Sequence, residues 1–266
     1  MWHTFKKYWL LFWKFRAIRA MMLMEYRSNF FFWAFVSFIW TLFNYFFFEL
    51  LVGAKGTLGG WTNAEVYILI SVFTMLDAFT WSFFYHTMQE YVSAIFSGQL
   101  SILMTKPIDT QYLISVQENS YTNLPRFFIG LIILFISISR AQLHPDIVHI
   151  GIFLIFFSLA LMFIYSLWFV IATLSFWVER LENINEVIPA TRRLWQVPRQ
   201  VFTGFSSTFF TVFIPFGLIC TLPSEVLLGR ASTPWLLYFA VFTLLLFAFS
   251  RWFFYLSIKK YSAVGN

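Results

Sequence analysis

Long apolar runs alternate with short polar breaks along this chain, at a spacing that suits a bilayer. The run from Asn29 to Val52, NFFFWAFVSFIWTLFNYFFFELLV, is long enough to cross, because about 20 helical residues at about 1.5 Å each cover a hydrocarbon core of about 30 Å. Gly53, Gly56, Gly59 and Gly60 then interrupt the pattern as a short turn. A second crossing is predicted from Ala64 to Met88, and a third from Tyr112 to Ser139. The third is polar in its first half (Gln117, Glu118, Asn119, Ser120), and its length predicts that it projects beyond the bilayer. After the loop RAQLHPD comes a fourth run, Ile147 to Trp177. The fifth, Ser207 to Leu222, is short and holds Pro215 and Gly217, and the sixth, Trp235 to Ile258, ends at Lys259 and Lys260. These runs predict an all-α integral membrane protein of about six spans, forming a single transmembrane domain over residues 1–266.

The polar stretches carry their own pattern. On a helical wheel Trp2, Phe5, Trp9 and Phe12 share one face and Lys6, Lys7 and Lys14 the other, which predicts an amphipathic elbow helix in the membrane interface over residues 1–27. Basic residues interrupt this region and no small-residue cleavage site follows, so it does not read as a cleaved signal peptide. The segment Gln89 to Thr110 is too polar to span, yet Tyr91, Ile95, Phe96, Leu100 and Leu103 recur at helical or near-helical spacing. It predicts a cytoplasmic amphipathic helix closed by Lys106 and Pro107, covering residues 89–107. Val178 to Gly204 mixes both charge signs with two prolines and predicts a second cytoplasmic segment, partly helical along the interface. PSEVLLGRASTP, from Pro223, predicts a re-entrant helix on the far side, so that residues 213–230 hold the fifth span and an outer re-entrant segment.

Composition strengthens the membrane reading. Of 266 residues, 60% are hydrophobic and 11% charged, more apolar surface than a water-soluble domain covers. Charge then sets the orientation. The predicted cytoplasmic segments hold Lys6, Lys7, Lys14, Arg16, Arg19, Arg27, Lys106, Arg180, Arg192, Arg193, Arg199, Lys259 and Lys260, against Lys55, Arg140 and Arg230 on the far side. This positive-inside bias predicts a cytoplasmic (inner) membrane protein with both termini in the cytoplasm. The basic residues flank the spans and form no single stripe, so they predict contact with membrane lipids and not with nucleic acid. The single cysteine, Cys220, rules out an internal disulfide and reads as a packing residue.

Candidate chemistry is sparse. There is no GxxxxGK[ST] loop, no GxGxxG after a strand and no Cys/His cluster of zinc spacing, so no catalytic residue or metal site is assigned and ATP hydrolysis is not expected in this chain. His144, Asp146 and His149 lie close in sequence, but Pro145 and the loop setting make their spacing uninformative for a metal. His86 and Glu90, four apart, read as a simple pair. A charge inside the membrane costs about 2.5 to 3.5 kcal/mol, which singles out Asp77 in the second span. It reads equally as part of a polar translocation path and as a hydrogen-bonding group for a neighbouring helix or subunit. Glu118 and Arg126 lie near one face of the third span and read as structural pairing, with each other or with residues near the interface. Two other classes stay open: a membrane-embedded lipid-modifying enzyme, for which Asp77 lacks an evident acid or base partner, and an ion-coupled secondary transporter using Asp77, which would require inverted repeats or matched broken helices.

The order of an elbow helix, EYRSNF leading into the first span, a cytoplasmic helix ending in IFSGQLSILMTKPID, and a terminal KKYSAVGN resembles the ABC-2 type permeases, in particular the ABC2_membrane_6 group. The similarity covers nearly the whole chain and is most specific from Ile95 to Pro107, with Ser101 where that group usually has an acidic residue. FIPFGLICTLPSEVLLG, with Pro215 and Pro223, is similar to the group's fifth span. The resemblance implies an ABC exporter permease working as a pair, identical or paralogous, with two copies of a separate ATPase subunit that bind ATP and Mg2+. It implies no cofactor in this chain. Docking of the ATPase would fall on Tyr91, Ile95, Phe96, Gly98, Gln99, Leu100, Leu103, Lys106 and Pro107, and an outer gate on Pro215, Pro223 and Glu225. The expected cargo is lipidic, amphiphilic or drug-like.

Overall fold

The computed structural model describes residues 2–178 and 183–261. Arg180, residues 262–266 and the side chains of Trp2 and Phe5, all used above, lie outside the described residues. Among the described residues the chain is built from helices: α1 (Trp2–Glu25), α2 (Arg27–Lys55), α3 (Asn63–Phe96), α4 (Leu100–Met104), α5 (Thr110–Gln117), α6 (Leu124–Arg140), α7 (Ile147–Thr173), α8 (Val187–Trp195), α9 (Gly204–Phe213), α10 (Phe216–Leu227) and α11 (Thr233–Ile258). Four of these, α2, α3, α7 with its extension to Phe176, and α11, are long and apolar enough to cross a membrane, and the bent pair α9–α10 makes a fifth if it is counted as one.

Helix α3 is the axis of the bundle. Its 34 residues reach about 51 Å at about 1.5 Å each. Its first turn is closed by Glu65, whose Oε2 accepts a hydrogen bond from the Thr62 N–H at 2.7 Å, placing a carboxylate at the positive helix end. Ile68, Leu69, Ile70, Val72 and Leu76 are all fully enclosed, as an apolar helix without a polar face requires. Helix α6 runs antiparallel along it at close range: a Cβ on Gly130 would lie 3.0 Å from Met75 Cγ and 3.2 Å from the Ser71 carbonyl. Beyond the middle of α3, Tyr91 stacks on Phe169 of α7 at 4.9 Å, and Phe254 of α11 closes the same cluster. The outer faces of α2 (Phe31, Phe35, Trp40, Phe46) and α11 (Leu237, Leu245, Trp252) stay exposed in the single chain, as surfaces for lipid or a second subunit would.

The third predicted crossing is not one helix. Helix α5 ends at Gln117, Glu118 is extended, and α6 begins only at Leu124 with Pro125 in its first turn, where a missing N–H costs nothing. The break is stitched to a π-helical turn in α3, Trp81–Tyr85, whose extra residue frees backbone carbonyls. The Ser120 N–H donates to the Ser82 carbonyl at 2.8 Å, and Thr87 Oγ1 donates to the Glu118 carbonyl at 2.5 Å. Helix α6 therefore has 17 residues, about 26 Å, somewhat less than a bilayer core of about 30 Å.

The polar segment after the second predicted crossing is also divided differently. Nothing between Gln89 and Phe96 stops a helix, and α3 continues straight through it, burying Tyr91, Val92 and Ile95. The stop comes at Gly98, whose φ of +78° is readily open only to glycine. Only the five-residue α4 follows before Pro107.

The largest departure concerns Val178 to Gly204, expected at one end of the bundle. Residues 185–200 of it instead pack along α3 from Met88 to Trp61, just before the helix begins. Asn185 Nδ2 donates to the Met88 carbonyl at 3.3 Å, Tyr85 Oη donates to Glu186 Oε1 at 3.1 Å, Arg192 Nη2 donates to Asp77 Oδ2 at 2.5 Å, and Trp61 Nε1 donates to Gln200 Oε1 at 3.2 Å. Arg192, which read as a surface charge in the sequence, thus meets a buried carboxylate inside the protein. Helices α9 and α10 then meet at 79° about Ile214 and Pro215. Both ends of this hairpin lie at the Asn63 end of α3, with Val201 against Gly59 just before it and Arg230 Nη1 donating to Glu65 Oε1 at 2.7 Å just after it. The apolar run Ser207 to Leu222 is thus sharply bent, and the segments on either side of it both contact the Asn63 end of α3.

Candidate functional site

The residues expected to dock a partner divide into anchors and a crest. Tyr91, Ile95 and Leu100 are buried, and Leu103 packs partly against the core. Tyr91 Oη also meets Thr173 Oγ1 at 3.1 Å. Phe96, Gln99, Lys106 and Pro107 are exposed around the Gly98 turn. Ile102, not singled out from the sequence, is 62% exposed on α4 and belongs to the same crest. Its exposure breaks the apolar-inward pattern, which is the signal that marks it. Behind the crest, a cleft of about 310 Å³ opens between α3, α4 and α5, lined by Glu90, Tyr91, Gln99, Leu103, Lys106 and Glu118 among others.

The crest is tied to both ends of the chain through Asp109, a residue the sequence reading passed over although an Asp directly before a helical run is a typical cap. Asp109 Oδ1 accepts from the Tyr112 N–H at 2.9 Å and caps α5. Its Oδ2 accepts from Arg251 Nη2 at 2.5 Å and Tyr255 Oη at 2.8 Å, both on α11. Its N–H donates to Tyr8 Oη at 3.0 Å, and Lys7 Nζ donates to the Pro107 carbonyl at 2.8 Å, both from α1. Burial opposes ionisation of this carboxyl, but the hydrogen bonds from Arg251, the Tyr112 N–H and Tyr255 outweigh it and hold the group below its usual range. Arg251 of α11 is thereby part of this tie.

The second site is a buried charge cluster. Asp77 is fully enclosed, and its Oδ2 is approached by Arg126 from α6 and by Arg192 from α8. Arg192 also lies over the Trp81 ring at 5.2 Å, beside the π turn. Glu118 and Arg126 do not meet: the break before α6 separates them, and Glu118 pairs with Arg19 of α1. Arg192 was invisible as a partner because its segment read as surface. Nothing in sequence spacing links positions 77 and 192.

At the Asn63 end, Pro215 sits at the hairpin bend and Pro223 is buried in α10. Glu225 is 2% exposed and accepts from Arg199 Nε at 3.3 Å, Arg199 Nη2 at 3.4 Å and Gln200 Nε2 at 2.9 Å. This ties the hairpin to the segment that runs along α3. In the neighbouring loop Asp146 caps α7 by accepting from the His149 N–H at 2.9 Å. Among the described residues no group of three or more His, Cys, Asp or Glu side chains is placed to hold a metal ion.

A family model described as ABC-2 family transporter protein matches residues 38–265. No curated protein matches the chain.

Proposed function

The chain belongs to the ABC-2 family of transporter proteins and is an ABC transporter permease embedded in the membrane, and from this premise we propose that it is the translocating subunit of an exporter for a lipidic, amphiphilic or drug-like substrate. The observation that carries the reading is the family match, which spans all but the first 37 residues and the last. In this reading two permeases, identical or paralogous, form the path, and two copies of a separate ATPase bind ATP and Mg2+ and supply the energy. The chemistry stays in the partner chain.

The partner docks on the crest formed by Phe96, Gln99, Ile102, Lys106 and Pro107, which stands clear of the bundle while Tyr91, Ile95 and Leu100 hold it from behind. Closure of the ATPase pair on ATP pushes this crest, and the rigid α3 and the Asp109 tie pass the movement to α1, α5 and α11. The Phe96 end of α3 is cytoplasmic, α1 lies along that interface as an elbow, and both termini are inside. Residues 184–201 are then the fifth crossing and α9–α10 re-enter the outer leaflet as a gate, with non-helical backbone at depth tolerated because protein covers it. Arg199 moves to the outer side in this arrangement and Arg192 to the interior, and the bias toward basic residues inside survives both moves. The double engagement of Asp77 by Arg126 and Arg192 suits a structural charge cluster better than a free cation site.

The test is purification in mild detergent followed by an ATPase assay with Ile102→Asp and with the crest deleted. An ATPase subunit should co-purify, and each change should uncouple its hydrolysis from transport. If no ATPase co-purifies and the crest is dispensable for transport, the reading fails.

A further inference from the structure

Arg193 stands at a depth where an unpaired charge needs a reason. Its neighbour Arg192 meets Asp77, which lies 14 residues into α3 from Asn63, about 21 Å along the axis. That is well inside a core of about 30 Å entered from the Asn63 end. Arg193 is exposed, and among the described residues it has no hydrogen-bond, ion-pair or ring partner. An arginine turned to lipid at such a depth is strongly disfavoured, and the usual resolution is a polar cavity or another subunit. The surroundings reinforce this. Among the described residues the charged groups around α8 are Arg126, Arg192 and Arg193 against Asp77 and Glu186, three guanidinium groups for two carboxylates. One positive charge is left over, and it lies on the open side, because Arg126 is nearly enclosed while 29% of the Arg192 side chain is exposed. Trp81 lies against Arg192 at 5.2 Å and Tyr85 packs on Trp81 at 4.2 Å, so two half-buried rings offer an apolar wall on the Arg192 side of α8.

Building on the permease reading, we propose that the exposed face of α8, centred on Arg193 and backed by Arg192, lines the substrate path between two permeases and binds the anionic group of an amphiphile. The matching ligand is an organic anion, a carboxylate or phosphate on an apolar body. The guanidinium fork takes the anion through paired N–H donors, and the Trp81 and Tyr85 rings take the apolar body. A net charge of this sign also disfavours cationic amphiphiles, which gives the path a charge preference that aromatic walls alone do not supply.

The test uses the permease with its co-purified ATPase in detergent and two probes, a dansyl-labelled undecanoic acid and its neutral carboxamide, with binding read as energy transfer from tryptophan. The acid should bind more tightly than the amide. Arg193→Gln should weaken the acid about tenfold, Arg193→Lys should restore most of that loss, and the amide should be unaffected, because only the charge-assisted contact has been changed. Equal binding of acid and amide to the unaltered protein, or equal weakening of both by Arg193→Gln, overturns the proposal. A second measurement is independent of the ligand. In a Cys220→Ala background, Arg193→Cys should react with a charged methanethiosulfonate reagent, as a residue bordering water does, and the acid probe should protect it. A thiol that stays inert in a folded protein places position 193 against lipid or packed protein and also overturns the proposal. Absence of a co-purifying ATPase would count against the permease reading, while binding and labelling of this chain would still decide the anion site.

Discussion

At the scale of single residues, the decisive interactions are those between groups far apart in sequence. Asp77→Asn leaves Arg126 and Arg192 facing each other without a counter-charge in an enclosed site. Removing one member of a buried ion-paired group typically costs about 3 to 5 kcal/mol, so the variant should show a clearly lowered thermal midpoint in detergent. Arg192→Gln should cost less, because Arg126 still neutralises Asp77. If Asp77→Asn leaves stability, assembly and transport unchanged, the cluster has neither a structural nor a transport role. Gly130→Val tests the close approach of α3 and α6, where a Cβ already meets Met75 at 3.0 Å. Overpacking of this kind costs about 1 to 3 kcal/mol, and a thermal midpoint equal to that of the unaltered protein would show that the helices can part. Asp109 gives a pH signature. Its carboxyl is held below the ordinary value of about 3.9, so the stability it contributes is present above that value and is lost as pH falls through the lowered folded one. Asp109→Asn should therefore be less stable than the parent at neutral pH and should lose less on acidification.

Among the elements, α3 and the crest after it show how far local pattern carries. Of the apolar positions read at helical or near-helical spacing, Tyr91, Ile95 and Leu100 are buried and Leu103 partly so, while Phe96 is exposed. Their spacing did not reveal that the helix had begun at Asn63, because a continuous helix and two abutting ones share the same period. Gly98, with its positive φ, is where the element ends. Pro125, directly after the polar stretch Gln117 to Asn123, was a readable start signal for α6, yet the predicted crossing ran through it. The anchors and the crest should separate experimentally. Leu100→Asp buries an unpaired carboxylate and should destabilise the protein. Ile102→Asp alters an exposed side chain and should leave the thermal midpoint unchanged while reducing the ATPase response. Equal loss of stability in both variants would mean that Ile102 is not a contact surface.

For the whole molecule, the assignment of residues 184–201 as the fifth crossing makes a prediction about accessibility. If residues 184–201 cross the membrane, cysteines at Asn183 and Gln200 should label from opposite faces of the membrane in a Cys220→Ala background, with Gln200 reached from outside. Labelling of both from inside would restore the segment to the cytoplasmic surface. The sequence by itself determined the solvent, the class of fold, the position of the long helices and the surplus of basic charge near their ends, because each depends on local composition and on a helical rise that does not vary. It also carried the family resemblance, through motifs that are contiguous along the chain. Tertiary structure alone decided which charges are paired, where the third span breaks, and which way the segment around Arg192 runs. Those outcomes depend on partners distant along the chain, Thr87 for Glu118 at the break, Asp77 for Arg192 and Asp109 for Arg251. A guanidinium reads as solvated in sequence until a buried carboxylate is found for it, and only the packed bundle brings the two together.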